Sequence, residues 1–243
     1  MNKNKKNFIA IIPARKGSKE IKNKNLILIN GHPLLSYSIA AAKKSKFIKD
    51  VFVSTDGKNI AKVARRYGAK VVIRPKKLSK DSSRIEDAIL YTVKHIKNLL
   101  NPKYDNIVLM QPTSPQRSIN DLDNAIRKFI KDKADSLFSC TKQDLCIWEN
   151  KNSKIIPVNF NPYKRKNRQE KNKSYIENGS IYVTKKKIYD TYKNRLGGKI
   201  SIYIMENYAR HELDTKNDSK FITSILSAQI AKKFKLTVPR KIK

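Results

Sequence analysis

The chain has 243 residues, and 39% of them are hydrophobic, which is enough for one sizeable domain with a buried core. Its formal net charge of +34 raises nucleic acid as a partner. The basic residues are however spread along the whole chain among asparagine and isoleucine, as in proteins from AT-biased genomes, so we expect no specific nucleic-acid partner. No apolar run reaches the roughly 18 residues that a membrane span needs, so we expect a soluble, cytoplasmic protein without a membrane partner.

Strands and helices alternate over the first 140 residues. In chain order, the pattern predicts strand 8–12, helix 34–46, strand 51–55, helix 58–67, strand 70–73, helix 83–99, strand 106–110, helix 119–131 and strand 135–140. The strand segments are rich in β-branched residues and show no polar alternation, which indicates burial on both faces. The sequence therefore predicts an α/β fold with a mostly parallel sheet flanked by helices.

Helix starts are marked by capping signals. Ser83 with Glu86, Ser118 before Asp121, and Thr215 with Asp218 are predicted to begin three of the helices, the last of which covers residues 218–233.

The alternation breaks after Cys140, where the sequence becomes polar. Strands are predicted again at residues 180–183 and 200–205. We interpret residues 141–195, approximately, as a lobe inserted into a single domain that covers residues 1–243. Cys140 and Cys146 are too few for a disulfide framework and are expected to be reduced structural thiols.

A dense group of positive charges follows the first strand, in "PARKGSKEIKNKN". Ligands of open α/β sheets bind beyond the carboxyl ends of the strands, where this segment lies. Gly17 permits a tight turn, and Arg15, Lys19 and Lys24 could neutralise several phosphate charges. The segment matches neither a P-loop nor a dinucleotide-binding motif. A polyphosphate is the predicted ligand, and a solvated lysine-rich loop is the alternative.

A pair of acidic residues, Glu212 and Asp214, lies in "ELDTKND". In an extended segment, side chains two residues apart point the same way, so both carboxylates could bind one Mg²⁺ ion. The alternative is a solvated strand edge.

Several motifs, in the same order, resemble those of the CMP-sialic acid synthetase family, the N-acylneuraminate cytidylyltransferases. They are "IIPARKGSKEIKNKN", "VSTD", "RPKKLSKDSS", "QPTSPQR", "RQ" before "ENGSIYV", and "ELDTKND". The resemblance implies a nucleotide-diphospho-sugar transferase (Rossmann-like) fold and a homodimer in which the inserted lobe contributes to dimerisation and sugar binding. It also implies transfer of CMP from CTP to the anomeric hydroxyl of a nine-carbon (nonulosonic) acidic sugar, with release of pyrophosphate.

The resemblance assigns roles residue by residue. Arg15 and Lys19 match triphosphate-binding positions, and Lys24 and Asn25 match the pair beside the reacting α-phosphate, so Arg15, Lys24, Asn25 and Asp214 are the predicted catalytic residues. Arg74, Asp81 and Ser82, with Asn25, match contacts to CTP. Gln111, Arg117, Arg168 and Asn178 match sugar-binding positions. Asp214 and Glu212 match the ligands of Mg²⁺ or Mn²⁺.

Departures from the family pattern concern the sugar. Glu212-Leu213-Asp214 replaces the usual Asp-Ile-Asp, which makes Asp214 the safer metal ligand. The segments "IWENKNSKIIPV" and "NRLGGKISIYIM" are more similar to the legionaminic acid branch. A cytidylyltransferase for the eight-carbon sugar acid Kdo is the alternative enzyme, and a basic nucleic-acid-binding protein is the alternative of another class.

Overall fold

The computed structural model describes residues 8–18, 20–100, 104–167, 169–170, 173–227 and 232–240, with only the helical backbone of 98–100. The strands are β1 (Phe8–Pro13), β2 (Leu28–Ile29), β3 (His32–Pro33), β4 (Ile48–Thr55), β5 (Lys70–Ile73), β6 (Asn106–Leu109), β7 (Ser136–Gln143), β8 (Trp148–Lys151), β9 (Lys154–Pro157), β10 (Ser174–Lys185) and β11 (Ile200–Ile204). The helices are α1 (Leu34–Lys44), α2 (Lys58–Arg66), α3 (Ile85–Leu100), α4 (Asp121–Lys131), α5 (Lys186–Tyr192) and α6 (Lys216–Ile225).

The main sheet of the described residues has seven strands in the order β11-β7-β10-β6-β1-β4-β5. β10 runs antiparallel to its neighbours β6 and β7, and the other paired strands of this sheet run parallel. The predicted α/β fold with a mostly parallel sheet is therefore confirmed.

Both faces of β1 are buried, which explains the absence of polar alternation in its sequence. Phe8, Ala10 and Ile12 pack in one apolar cluster with residues of α1 and α4, whereas Ile9 and Ile11 pack in a second cluster with residues of α3. Successive side chains of a strand point to opposite faces, so a central strand between two helical layers must be apolar throughout.

The predicted helix starts are confirmed at Leu34 and Lys58, and the others shift by a few residues. Ser118 is not a helix cap, because α4 begins at Asp121 with Asn120 as its N-cap. The Asp121 carboxylate instead accepts a hydrogen bond of 2.6 Å from the Ser118 backbone N–H. α3 begins at Ile85, two residues after the predicted start at residue 83.

At α6 the predicted capping box is confirmed. The Thr215 hydroxyl accepts from the Asp218 N–H, and the Asp218 carboxylate accepts from the Thr215 N–H. α6 begins at Lys216 and ends at Ile225, so it is shorter than the predicted 218–233, and residues 228–231 lie outside the described residues.

The segment that leaves the main sheet is shorter than the predicted lobe of 141–195. β7 continues to Gln143, and β10 returns at Ser174, which pairs with Gln143 in the antiparallel ladder. Between them, β8 and β9 form a separate hairpin. Residues 174–195 therefore belong to the core, where α5 follows β10 directly. No helix in the described part of the chain is long and apolar enough to cross a membrane.

A buried arginine holds together the parts of the fold that surround the carboxyl ends of the strands. Arg117 is the largest of the fully buried side chains. Its guanidinium donates to the Ser38 hydroxyl of α1 (3.0 Å), to the Gln111 carbonyl after β6 (2.8 Å) and to the Ser180 carbonyl of β10 (2.8 Å). Burial lowers the pKa of Arg117 to about 9, against the opposing effect of the carboxylate of Asp121.

Replacement of this arginine is predicted to destabilise the fold. Arg117→Ala removes the side-chain donor of the buried Ser180 carbonyl and one of the two donors to the Gln111 carbonyl, and it opens a cavity, so we expect the free energy of unfolding to fall by about 3–5 kcal/mol. The matched control is Arg127→Ala, at an exposed arginine of α4, for which we expect a change within about 1 kcal/mol. Urea denaturation measures both, and equal losses for the two variants would contradict the structural role of Arg117.

Candidate active site

A pocket of about 310 Å³ opens where β1, β5 and β6 end, at their carboxyl termini. Ligands of open α/β sheets bind in this place. The loops that follow these strands bring six of the predicted site residues to the pocket wall: Arg15, Lys24, Asn25, Arg74, Asp81 and Gln111. Ser82 is exposed beside Asp81 and does not line the pocket.

The loop after β1 is folded back on itself by an asparagine side chain. Asn23 adopts a left-handed conformation (φ 56°), and a 3₁₀ turn follows at Lys24–Leu26. The side chain of Asn25 is buried and donates to the Arg15 carbonyl at 3.0 Å. This bond ties the two ends of the loop together, so that Arg15 and Lys24, nine positions apart in the sequence, face one pocket.

Each of these two cations forms an ion pair with a carboxylate. Arg15 contacts the Asp81 carboxylate at 2.7 Å, and Lys24 contacts the Asp214 carboxylate at 2.8 Å. Arg15, Asp81 and Asp214 are all partly exposed, so these pairs are weak and can exchange with a ligand. Two positive charges are therefore held at one pocket, and their present partners can be replaced by a ligand.

Arg74 forms the inner wall of the pocket and is 5% exposed. Its Nε donates to the Ser79 hydroxyl at 2.8 Å, while its buried Nη1 has no hydrogen-bond partner among the described residues. Burial lowers the pKa of Arg74, and the Asp56 carboxylate opposes this effect. A buried donor without a partner is costly, so this nitrogen is suited to an acceptor atom of a ligand.

The predicted acidic pair lies beside the cation-rich loop after β1, where Asp214 pairs with Lys24. The backbone N–H of Leu213 donates to the Thr113 carbonyl, and the Leu213 side chain points into the core. Glu212 and Asp214 consequently project on the other side, as expected for residues two apart in an extended segment. The Glu212 carboxylate accepts from the Thr113 hydroxyl at 3.2 Å. Burial raises the pKa of Glu212, and the neighbouring carboxylate of Asp214 raises it further.

A second, more open pocket of about 690 Å³ adjoins the first. Gln111 lines both pockets, and Glu212, one residue of the acidic pair, lines the second pocket. The other charged or polar residues that line the second pocket are Arg84, Glu86, Glu177, Tyr182, Asn194 and Arg195. Gly179 lies beside this junction with φ +64°, and a Cβ atom there would approach the Glu212 carboxylate to 2.7 Å and the Gln111 amide to 2.9 Å.

Two residues that the resemblance assigned to sugar binding are buried instead. The terminal nitrogens of Arg117 donate to Ser38 and two backbone carbonyls, its buried Nε has no partner among the described residues, and the side chain lines neither pocket. Asn178 is fully buried: its amide oxygen accepts from the Ser139 hydroxyl and its nitrogen donates to the Ala209 carbonyl. Neither side chain lines the two pockets, and the assignment of both residues to sugar binding stays a prediction. Lys19 and Arg168 lie outside the described residues.

Several residues that line the two pockets were not predicted from the sequence. Ser79 and Tyr182 lie within motifs that were quoted, but no spacing rule distinguished them from their neighbours. Glu177 precedes Asn178 and accepts a hydrogen bond from the Tyr182 hydroxyl. Arg195 lies in the loop between α5 and β11, within the quoted segment "NRLGGKISIYIM", but nothing in that segment singled it out as a site residue.

Comparison with known proteins agrees with this geometry. A cytidylyltransferase family model matches residues 9–236. The chain is 30% identical over 218 residues to the pseudaminic acid cytidylyltransferase of Campylobacter jejuni, covering 88% of this chain and 93% of that protein. It is 30% identical over 231 residues to the N-acylneuraminate cytidylyltransferase of Escherichia coli, covering 90% of this chain and 52% of that protein. It thus spans about half the length of the Escherichia coli relative.

Among solved structures, the fold is similar to that of a CMP:2-keto-3-deoxy-manno-octonic acid synthetase complexed with CTP. The TM-score is 0.68 at 15% identity, and the match covers 91% of this chain and 99% of that one. A 4-diphosphocytidyl-2C-methyl-D-erythritol synthase has a TM-score of 0.69 at 12% identity, with 92% and 99% covered. At these identities the structures show the nucleotide-diphospho-sugar transferase fold. By its sequence matches and its fold, this chain belongs to the cytidylyltransferase family of nucleotidyltransferases that includes the N-acylneuraminate and pseudaminic acid cytidylyltransferases.

Proposed function

We propose that the chain transfers CMP from CTP to the anomeric hydroxyl of a nonulosonic acid and releases pyrophosphate. The sugar oxygen attacks the α-phosphorus of CTP as the bond from that phosphorus to the pyrophosphate oxygen breaks. The observation that carries the proposal is the convergence of Arg15, Lys24 and Arg74 on one pocket, next to Glu212 and Asp214. Nucleotidyl transfer depends on positioned cations, because negative charge is spread over the phosphate oxygens in the transition state.

CTP binding is expected to replace the two ion pairs of the pocket. The triphosphate offers Arg15 and Lys24 a higher density of negative charge than the single carboxylates of Asp81 and Asp214. Because the Arg15–Asp81 pair is partly exposed, breaking it costs about 1 kcal/mol or less. The unpartnered Nη1 of Arg74 is suited to an acceptor of the nucleotide. These residues hold the triphosphate and orient its α-phosphate.

The acidic pair fits Mg²⁺ or Mn²⁺. The described residues contain no group of three or more His, Cys, Asp or Glu side chains that could form a metal site by themselves. Mg²⁺ is commonly bound by one or two carboxylates together with phosphate oxygens and water, which Asp214 and Glu212 could provide in the presence of CTP. Burial first, and then the neighbouring carboxylate of Asp214, raises the pKa of Glu212, and a cation between the two carboxylates would relieve their repulsion. Bound there, the ion would neutralise charge on the α-phosphate.

The second pocket is the proposed place of the sugar. Gln111 lines both pockets and would contact the sugar next to the nucleotide. The wall of Glu177, Tyr182 and Glu212 offers acceptors and a hydroxyl to the hydroxyl groups of a sugar. Relatives that act on two different nonulosonic acids match this chain equally well, so legionaminic acid, indicated by the sequence segments named above, stays a prediction.

The chain is also proposed to form a homodimer through the β8–β9 hairpin. Leu145, Ile147, Trp148, Ile155 and Val158 expose apolar side chains on or beside the hairpin. An isolated two-stranded hairpin is marginally stable, and the same hairpin on a second copy would cover these side chains. A cytoplasmic location stays a prediction.

One experiment tests the proposed function. The protein is incubated with CTP, Mg²⁺ and, in separate reactions, N-acetylneuraminic, legionaminic, pseudaminic and Kdo acids, and pyrophosphate release is followed. We expect turnover with at least one of the first three acids. Preference for Kdo would favour the alternative enzyme, whereas absence of turnover together with steeply salt-dependent binding to DNA would favour the nucleic-acid-binding alternative.

Removal of a phosphate-binding cation is predicted to reduce turnover strongly. Arg15→Ala and Lys24→Ala each remove one preorganised positive charge, which typically costs about 100- to 1000-fold in rate. Lys22→Ala, on the same loop but exposed and outside the pocket, is the matched control and should retain activity. Near-parental turnover of either pocket variant at saturating CTP would refute the role of that residue.

The two acidic residues are predicted to differ in their effects. Asp214→Asn removes an exposed carboxylate at the phosphate pocket and should abolish most activity at ordinary Mg²⁺ concentration without lowering the melting temperature much. Glu212→Gln should reduce activity less. Asp190→Asn, at an exposed aspartate that also pairs with a lysine, is the control. A Mg²⁺ titration of pyrophosphate release that is unchanged in Asp214→Asn would contradict the assignment.

Dimerisation is predicted to depend on the hairpin. Ile155→Lys places a charge on its exposed apolar surface, so we expect sedimentation equilibrium to shift towards the monomer. Ile130→Lys, at a similarly exposed position of α4, should leave the dimer intact. A monomeric parent protein, or a dimer unaffected by Ile155→Lys, would refute this interface.

A further inference from the structure

Arg195 is held rigidly in the wall of the second pocket by three separate interactions. Its Nε donates to the Glu86 carboxylate at 2.8 Å, and its guanidinium carbon lies 5.0 Å from the centre of the Tyr182 ring. Its backbone carbonyl accepts from the Thr184 hydroxyl at 2.6 Å. Stacking on an aromatic face and pairing through Nε restrict the orientation of the guanidinium plane.

The two terminal nitrogens of Arg195 have no hydrogen-bond partner among the described residues, and the side chain is 25% exposed at the pocket. The carboxylate of Glu86, whose side chain is 6% exposed, does not bind these terminal nitrogens. Its two oxygens instead face the Nε atoms of Arg195 and Arg84. A planar guanidinium that is fixed at Nε and free at both terminal nitrogens is preorganised for a bidentate contact with a carboxylate or phosphate.

Among the described residues that line this pocket, Arg195 is the one whose surroundings favour an anion. Glu86, Glu177 and Glu212 outnumber the arginines that line it, so an acidic ligand would be repelled unless its charge met a guanidinium. Arg84 is less suitable, because it is more than half exposed and one of its terminal nitrogens already donates to the Lys193 carbonyl. Arg117 is buried in the core and does not line this pocket.

We propose that Arg195 binds the carboxylate of the acidic sugar through its two terminal nitrogens, with Glu86 and Tyr182 as positioning residues that fix its orientation. This inference rests on the proposed function and names the residue that selects an acidic sugar. Glu177 and Glu212 would then face the hydroxyl groups of the sugar, so that the carboxylate end and the hydroxyl end are distinguished by charge.

The test compares each accepted nonulosonic acid with its methyl ester, which removes the negative charge. For the parent protein we expect kcat/KM to be about 10- to 100-fold lower with the ester, as for the loss of a charge-assisted bidentate pair. Arg195→Gln should show a loss of the same size with the acid, an unchanged KM for CTP, and no remaining preference for the acid over the ester. Arg195→Lys should retain part of the preference.

Two further variants separate a binding role from a structural one. Arg127→Gln is the matched control, because Arg127 also stacks on a ring and pairs with a carboxylate, but on α4 and outside both pockets. It should leave both KM values unchanged. Glu86→Gln should raise the KM for the acid by a smaller factor, and should cause no further loss when added to Arg195→Gln. The melting temperature of each variant verifies folding.

The outcomes separate the two levels of the proposal. If the parent protein uses no nonulosonic acid with CTP, the proposed function falls, and the assignment of Arg195 falls with it. If the parent protein turns over and Arg195→Gln keeps the preference for the acid over the ester, only the assignment of Arg195 is overturned. A variant that raises the KM for CTP alone would likewise overturn it, because Arg195 would then contact the nucleotide.

Discussion

The buried guanidinium of Arg117 is the interaction on which the geometry of both pockets depends. It joins the loop after β6, through the Gln111 carbonyl, to β10, through the Ser180 carbonyl. Gln111 lines both pockets, as do Arg84 and Ile85, and β10 supplies Glu177 and Tyr182 to the second pocket. An apolar residue of similar size could fill the same volume, but it could not donate to these carbonyls. The cost of burying a charge is thus offset by the bonds that fix the site.

Electrostatics distinguishes the pocket proposed for the nucleotide (the nucleotide side) from the pocket proposed for the sugar (the sugar side). On the nucleotide side Arg15 and Lys24 hold exchangeable ion pairs, so their charges stay close to the positions where phosphate charge would be bound. On the sugar side the acidic residues are already engaged, Glu177 by the Tyr182 hydroxyl and Glu86 by arginine. Preorganised charges of this kind contribute to catalysis because little reorganisation is needed when the reaction occurs.

Sequence reasoning predicted the features that depend on local pattern. The apolar strands, the capping box at Thr215 and the position of the cation-rich loop at the carboxyl end of β1 all follow from short-range rules. It could not predict that Arg117 and Asn178 face the core, because a motif gives the place of a residue in the chain and not the direction of its side chain. Arg195 was beyond reach for another reason: its partner Glu86 is 109 positions away in the sequence.

The return of β10 to the sheet shows how one irregularity serves several parts of the site. The register between β10 and β7 shifts between Glu177 and Tyr182, and Gly179 in this interval adopts a positive φ. There is no room for a side chain at this glycine, because Glu212 and Gln111 lie against it. The shift lets Glu177 and Tyr182 line the pocket together while Asn178 anchors the strand in the core. In a regular strand, alternate side chains would point to opposite faces throughout. Glu212 could not then approach the backbone of β10 so closely.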